Sequence, residues 1–200
     1  MPPPRPPALP PGFARAVAGL RAADLRPEVT VGEAPAPQRL APFAVALSAE
    51  VALDGTELAT GRLVVLHDPE GQDAWEGETR IVAFAHAPLD PHMGADPLLP
   101  AVGWSWLLDA LTGAGAEHAA AGGTVTRVAS ERFGTLVSQP EAAEVEIRAS
   151  WSPVGEDLAP HLRAFAELLC SAAGLPPTTP GVVAIPPTRR ARHPRARARG

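Results

Sequence analysis

His86, Asp90, His92 and Asp96 stand within the eleven residues HAPLDPHMGAD. Imidazoles and carboxylates are ligands for divalent metals and agents of acid–base catalysis. Their spacing follows no helix face, however, and the prolines make the segment read as a loop. Loops gather Asp and His for turn formation and solubility, so the set predicts no metal site. Asp68, Glu70, Asp73, Glu76 and Glu78 form a second acidic cluster around Trp75. It lacks the oxygen and glycine spacing of an EF-hand and reads as a solvated hairpin loop. Ser105 sits in Gly103-Trp104-Ser105-Trp106-Leu107, which has part of a nucleophile elbow but not its second Gly, and it falls inside a helical pattern. Cys170 lies beside Leu169 on an apolar helix with no basic neighbour in sequence, the setting of a packing thiol. His67, His118 and His161 are isolated. Gly113-Ala114-Gly115 follows a helix rather than a strand and lacks the rest of a dinucleotide fingerprint. Spacing alone assembles no catalytic set and implies no cofactor.

Composition narrows the chemistry further. The chain has no Lys, which removes a Walker A loop and a Schiff-base lysine, and no Tyr, which removes a tyrosine general acid. A single Cys excludes an intrachain disulfide and a Cys-based zinc site within one chain, and it fits a reducing compartment. No apolar run follows Arg5, so no signal peptide is expected. The longest apolar stretch, Leu98 to Leu108, is broken by Pro, Gly and Ser and is too short to cross a bilayer. The expectation is a cytoplasmic protein with no membrane association.

The prolines mark the domain limits. Seven of the first eleven residues are Pro, and six more lie between Pro176 and Pro194, so both ends predict disorder. Residues 1–11 and 176–200 are thus tails around one domain at 12–175. The second tail carries Arg189, Arg190, Arg192, Arg195, Arg197 and Arg199 with no acid among them. The residues before that run are therefore more acidic than the chain's net charge of −5. Such a tail has the charge to contact phosphate backbones, although no aromatic residue interleaves with it.

Inside those limits the periodicities alternate in type. Phe13, Val17 and Leu20 predict a helix over 12–25, and Glu28 to Gly32 a short extra strand. Phe43 to Leu53 alternates, with Phe43, Val45, Leu47, Val51 and Leu53 on the core side. Asp54-Gly55 turns it into a return strand over 57–67, and residues 79–87 make a third. A helix ends at Gly113. Strands follow over 123–133 and 144–151, the second with Val145, Ile147, Ala149 and Trp151 inward. A last helix spans 157–173, its stripe formed by Leu158, Leu162, Phe165 and Leu169. The order α-β-β-β-α-β-β-α predicts an α+β domain, an antiparallel sheet of about five strands with helices on one face.

The helix before Gly113 is unusual. Trp104 and Trp106 point about 200° apart on it. Trp104 shares a stripe with Leu107, Leu108 and Leu111, which predicts the core face. Trp106 shares the other side with Val102 and Ala110, which predicts a partner-binding patch of Val102, Trp106 and Ala110.

Several blocks carry a family likeness: PAPQRLAPFAVALSAEV, ELATGRLVVLHDPEGQDAWEG, ADPLLPAVGWSWL, GTVTRVASERFG and EVEIRASWSP. Together they resemble an uncharacterised actinobacterial family, domain of unknown function 3000, across roughly 13–175. The resemblance implies a cytoplasmic bacterial protein and supplies no activity or site residue. In element order alone the chain is similar to bacterial type III secretion chaperones and YbjN-like proteins, small acidic homodimers that bind other polypeptides. The expected function is a non-enzymatic protein-binding or chaperone-like module, homodimeric or with another protein as partner. The alternatives are a small enzyme whose His and carboxylate groups converge only in three dimensions, and a nucleic-acid-associated protein acting through the Arg tail.

Overall fold

Alternating side chains build the central sheet. β1 (Val29–Ala34), β2 (Phe43–Leu53), β3 (Thr56–Gln72), β4 (Gly77–Leu89), β5 (His118–Ser130) and β6 (Ala142–Pro153) pair antiparallel in the order β1-β2-β3-β4-β6-β5. The computed structural model describes residues 8–138 and 142–177. The Arg-rich run at 189–200 lies outside the described residues, as does most of each expected tail; Pro11, however, already opens the first helix. The architecture is α+β, with six strands rather than five because the short stretch after Glu28 pairs with β2 as an edge strand.

Among the described residues four α-helices accompany the sheet: α1 (Pro11–Arg21), α2 (Pro91–Ala95), α3 (Leu99–Gly113) and α4 (Ala159–Ala172). All lie against one face. Period-two alternation sends Val45, Leu47, Leu63, Val65, Ile81, Val145, Ile147 and Trp151 to that face, where they meet Leu162, Phe165 and Leu169 of α4. Gly61 of β3 lets α4 approach closely: a Cβ there would stand 2.7 Å from the Phe165 ring and 2.8 Å from Leu169. Gly103 and Gly94 do the same for α3 against Val125 and for α2 against Ala143. The Asp54-Gly55 hairpin turn has positive φ at both residues, as a tight two-residue turn requires.

Several sequence expectations need correction. The helix expected over 12–25 stops at Arg21. Leu53 is exposed: it is the last residue of β2, beside the Asp54-Gly55 turn, beyond the register shift that leaves Leu58 of β3 unpaired. The segment 91–95, expected as loop, is a short helix; the Asp90 side chain caps it by accepting from the His92 N–H at 2.9 Å. Leu108 is exposed, because the buried arc of α3 runs through Leu99, Gly103, Leu107, Ala110 and Leu111 instead.

Among the described residues the opposite face of the sheet carries no helix. Ala46 and Leu66 are buried there, while Ser48, Glu50 and Arg62 are exposed. The Arg148 guanidinium lies 5.0 Å over the Phe84 ring. Arg80 anchors one end, donating to the Ser150 hydroxyl, the Ser152 hydroxyl and the Ala120 carbonyl. Ala120 has φ +50° at the irregularity where β5 leaves its ladder with β6, so Arg80 holds that kink to the sheet. Burial lowers the pKa of Arg80.

Candidate functional site: a cleft beside Trp106

Where α3 and α4 run side by side, small residues keep them from closing. Ala110, Gly113 and Ala114 of the α3 side face Ala166 and Ser171 of α4 across a cleft of about 770 Å³. Leu25 and Leu175 add apolar lining, and Trp106 is the one aromatic side chain in it among the described residues. The indole is half-buried, and its N–H has no hydrogen-bond partner among the described residues. A Trp in that state presents a broad apolar surface and an unused donor at once.

Charged groups border the apolar lining. Arg26 forms ion pairs with Glu28 at 3.3 Å and Glu167 at 3.4 Å. Burial opposes the charge on Arg26, but the hydrogen bonds it donates to Glu28 and the nearby Glu167 carboxylate outweigh it and raise the pKa. Glu28 is lowered in turn, mainly by Arg26. Asp24, Asp109 and Arg163 also line the cleft and form no ion pair among the described residues.

Residues Gly174 to Pro177 border the same cleft. Gly174, at φ +73°, ends α4 in a left-handed turn, with the Leu175 N–H donating to the Cys170 carbonyl at 2.9 Å. Leu175 packs on the core, and Arg26 donates to the Pro176 carbonyl at 2.9 Å. Leu175 and Pro177 are both cleft residues.

The structure divides the three residues of the predicted patch. Trp106 and Ala110 line the cleft, with Ala110 almost covered; Val102 is exposed and lies outside the lining. Trp104 is half-buried against the core on the other side of α3.

The predicted chemistry-bearing residues do not converge. His86 pairs with Glu144 at 3.1 Å on the helix-free face, Asp90 caps α2, and Asp96 accepts from the Leu98 N–H at 2.8 Å. Among the described residues no group of three or more His, Cys, Asp or Glu could hold a metal ion. In the acidic hairpin, Asp68 is occupied by the Glu70 N–H and the Gln72 amide, and the Trp75 carbonyl accepts from the Ser152 hydroxyl. Ser105 donates to the Val102 carbonyl at 2.8 Å, a local helix contact. Cys170 is buried, and that burial pushes its thiol up to about 11, so little thiolate exists at neutral pH. His118 hydrogen-bonds the Ala116 carbonyl.

Two arrangements have no signal in the linear sequence. His161 is buried and accepts from the Trp151 indole N–H at 3.0 Å. Burial, with a smaller push from His118, lowers its pKa to about 4. His67 stacks on Phe13 at 4.7 Å, contacts the Thr79 hydroxyl at 3.1 Å, and borders a smaller groove with Glu78 and Glu156. No hydrogen bond joins His67 to either carboxylate among the described residues. The ion-pair cluster was not anticipated: Arg26 and Glu28 are two residues apart, but Glu167 is far away in sequence.

No helix among the described residues is long and apolar enough to cross a membrane. No curated protein and no solved structure matches the chain. Residues 9–183 match a family described as protein of unknown function (DUF3000), the family the sequence blocks pointed to, and the match covers most of the chain. The chain belongs to the DUF3000 family.

Proposed function

We propose that this chain is a non-enzymatic protein-binding module that takes a polypeptide segment into the cleft between α3 and α4. The observation that carries the reading is Trp106, half-buried in an apolar cleft with its N–H unused among the described residues. Interfaces favour Trp as an anchor because one rigid ring supplies large apolar contact and one directed donor. The mixed charges of Asp24, Asp109 and Arg163 fit the polar rim of such a site. The role is chaperone-like in that it shields an apolar segment. A buried lone thiol is in keeping with a cytoplasmic setting.

The test compares captures from native lysate by the wild type, Trp106→Ala and Gly113→Trp. Gly113 is exposed, with nothing within 4 Å of where its Cβ would stand, so an indole there enters the cleft without moving the core. Both variants should stay folded and lose the polypeptides that the wild type captures. Unchanged capture by two folded variants would overturn the reading.

Self-association through β5 is a second reading with its own support. β5 is an edge strand with no further strand beside it among the described residues, and the connection after it exposes Phe133 at 76 % and Val137 at 73 %. A concentration-independent monomer mass in sedimentation would remove it.

A further inference from the structure

We infer that the segment Val182–Ile185 of this same chain binds in the Trp106 cleft intramolecularly, which rests on the reading of that cleft as a polypeptide site. The path of the chain supports it. The left-handed turn at Gly174 and the bond from Arg26 to the Pro176 carbonyl bring the backbone to the cleft, and Pro177 lines it. Val182 follows five residues later, a reach of at most about 17 Å, which is enough to fold back over the cleft.

Composition supports it as well. Beyond Pro177, the only run of consecutive apolar residues apart from prolines is Val182-Val183-Ala184-Ile185, set between Gly181 and Pro186. Its small branched side chains suit a lining of Ala, Gly and one indole. Arg189 and Arg190 follow closely, and Asp24 and Asp109 at the cleft carry no ion-pair partner among the described residues. Of the cleft charges without an ion pair among the described residues, two are acids, Asp24 and Asp109, and one is a base, Arg163, a balance that favours a basic segment. The family match also continues past Pro177 to residue 183, so the start of this segment belongs to the family's shared sequence. Tethering raises its local concentration to the millimolar range, which makes even a weak contact persistent. A partner must then displace the chain's own segment before it reaches Trp106.

The experiment uses full-length chains and, as probe, a labelled synthetic peptide of residues 178–190. Binding is followed by fluorescence anisotropy to the wild type, to a Val183→Asp/Ile185→Asp double variant, and to that double variant carrying Gly113→Trp. The double variant should bind the peptide roughly tenfold more tightly than the wild type, because its own segment no longer competes. Adding Gly113→Trp should abolish binding. Equal affinity for the wild type and the double variant would overturn the inference, as would no binding to either or binding that survives Gly113→Trp. A wild-type dimer that the double variant dissolves would overturn the intramolecular form in favour of exchange between copies. Lysate partners lost with Gly113→Trp would still uphold the cleft as a polypeptide site when the peptide fails to bind, so the two readings fail separately.

Discussion

Trp151 and Trp106 are the same side chain placed in opposite settings. Trp151 lies on β6 under α4, fully buried, its N–H donated to His161. Trp106 lies on α3 beside α4, half-buried, its N–H unused among the described residues. The same helix, α4, makes both boundaries. Toward the sheet it presents Leu162, Phe165 and Leu169 and closes on Gly61; toward α3 it presents Ala166 and Ser171 and leaves an open cleft. Side-chain size along one helix decides which face is sealed and which remains available. On the sealed face Trp151 and His161 satisfy each other, whereas on the open face the Trp106 N–H has no partner among the described residues.

The largest effect is expected on the sealed side. Trp151→Ala should cost about 3–5 kcal/mol, from the lost ring volume and the lost donor to His161. Denaturant unfolding measures it, and a cost under about 1 kcal/mol would mean that this face is less tightly closed than its burial indicates.

Acid should act on the same pair. His161 has a folded pKa of about 4, below its ordinary 6.5, so protonation favours the unfolded chain. The stability this group contributes is complete above pH 6.5 and is lost as pH falls toward 4. The loss is on the order of 3 kcal/mol. Asp157 nearby opposes the shift and His118 adds to it. His161→Gln keeps an acceptor for Trp151 without the titration, so its stability between pH 7 and 4.5 should be flatter than that of the wild type. Identical slopes would assign the acid sensitivity to other groups.

Gly61→Ala comes next. The added methyl would meet the Phe165 ring and the Phe84 carbonyl, each at 2.7 Å, and α4 must shift. The expected cost is about 1–3 kcal/mol. A neutral substitution would show that α4 rides more loosely on the sheet than the cleft boundary requires.

The sheet was readable because its side chains obey a period of two wherever one face is buried. β2 begins at Phe43 and ends at Leu53 as alternation predicts, and Val45, Leu47, Val51, Val145 and Ile147 are all buried. Leu53 escaped that logic by ending its strand at the turn, where no helix covers it, and α2 through being five residues long, too short for any period to show. The cleft was half readable. Two Trp residues at i and i+2 guaranteed two apolar flanks on α3, but the position of α4 decides which flank is open, and α4 is distant in sequence. For the same reason neither Arg26–Glu167 nor Trp151–His161 could be found by spacing.

Trp106→Ala should have the smallest effect on stability and the most specific effect on binding. The ring is half-buried, so its removal uncovers part of an apolar wall rather than emptying a sealed core site, and no internal hydrogen bond among the described residues is lost. Partial burial also leaves solvent and neighbouring side chains room to adjust, which keeps the cavity penalty low. The expected cost to folding is on the order of 1 kcal/mol, well below that of Trp151→Ala. An interface anchor of this type contributes about 2 kcal/mol or more to binding, so partner capture should fall more than tenfold while the melt barely moves. Thermal melting and binding measured on one preparation give both values. If Trp106→Ala unfolds the chain as Trp151→Ala does, α4 seals both of its faces, and Trp106 belongs to the core after all.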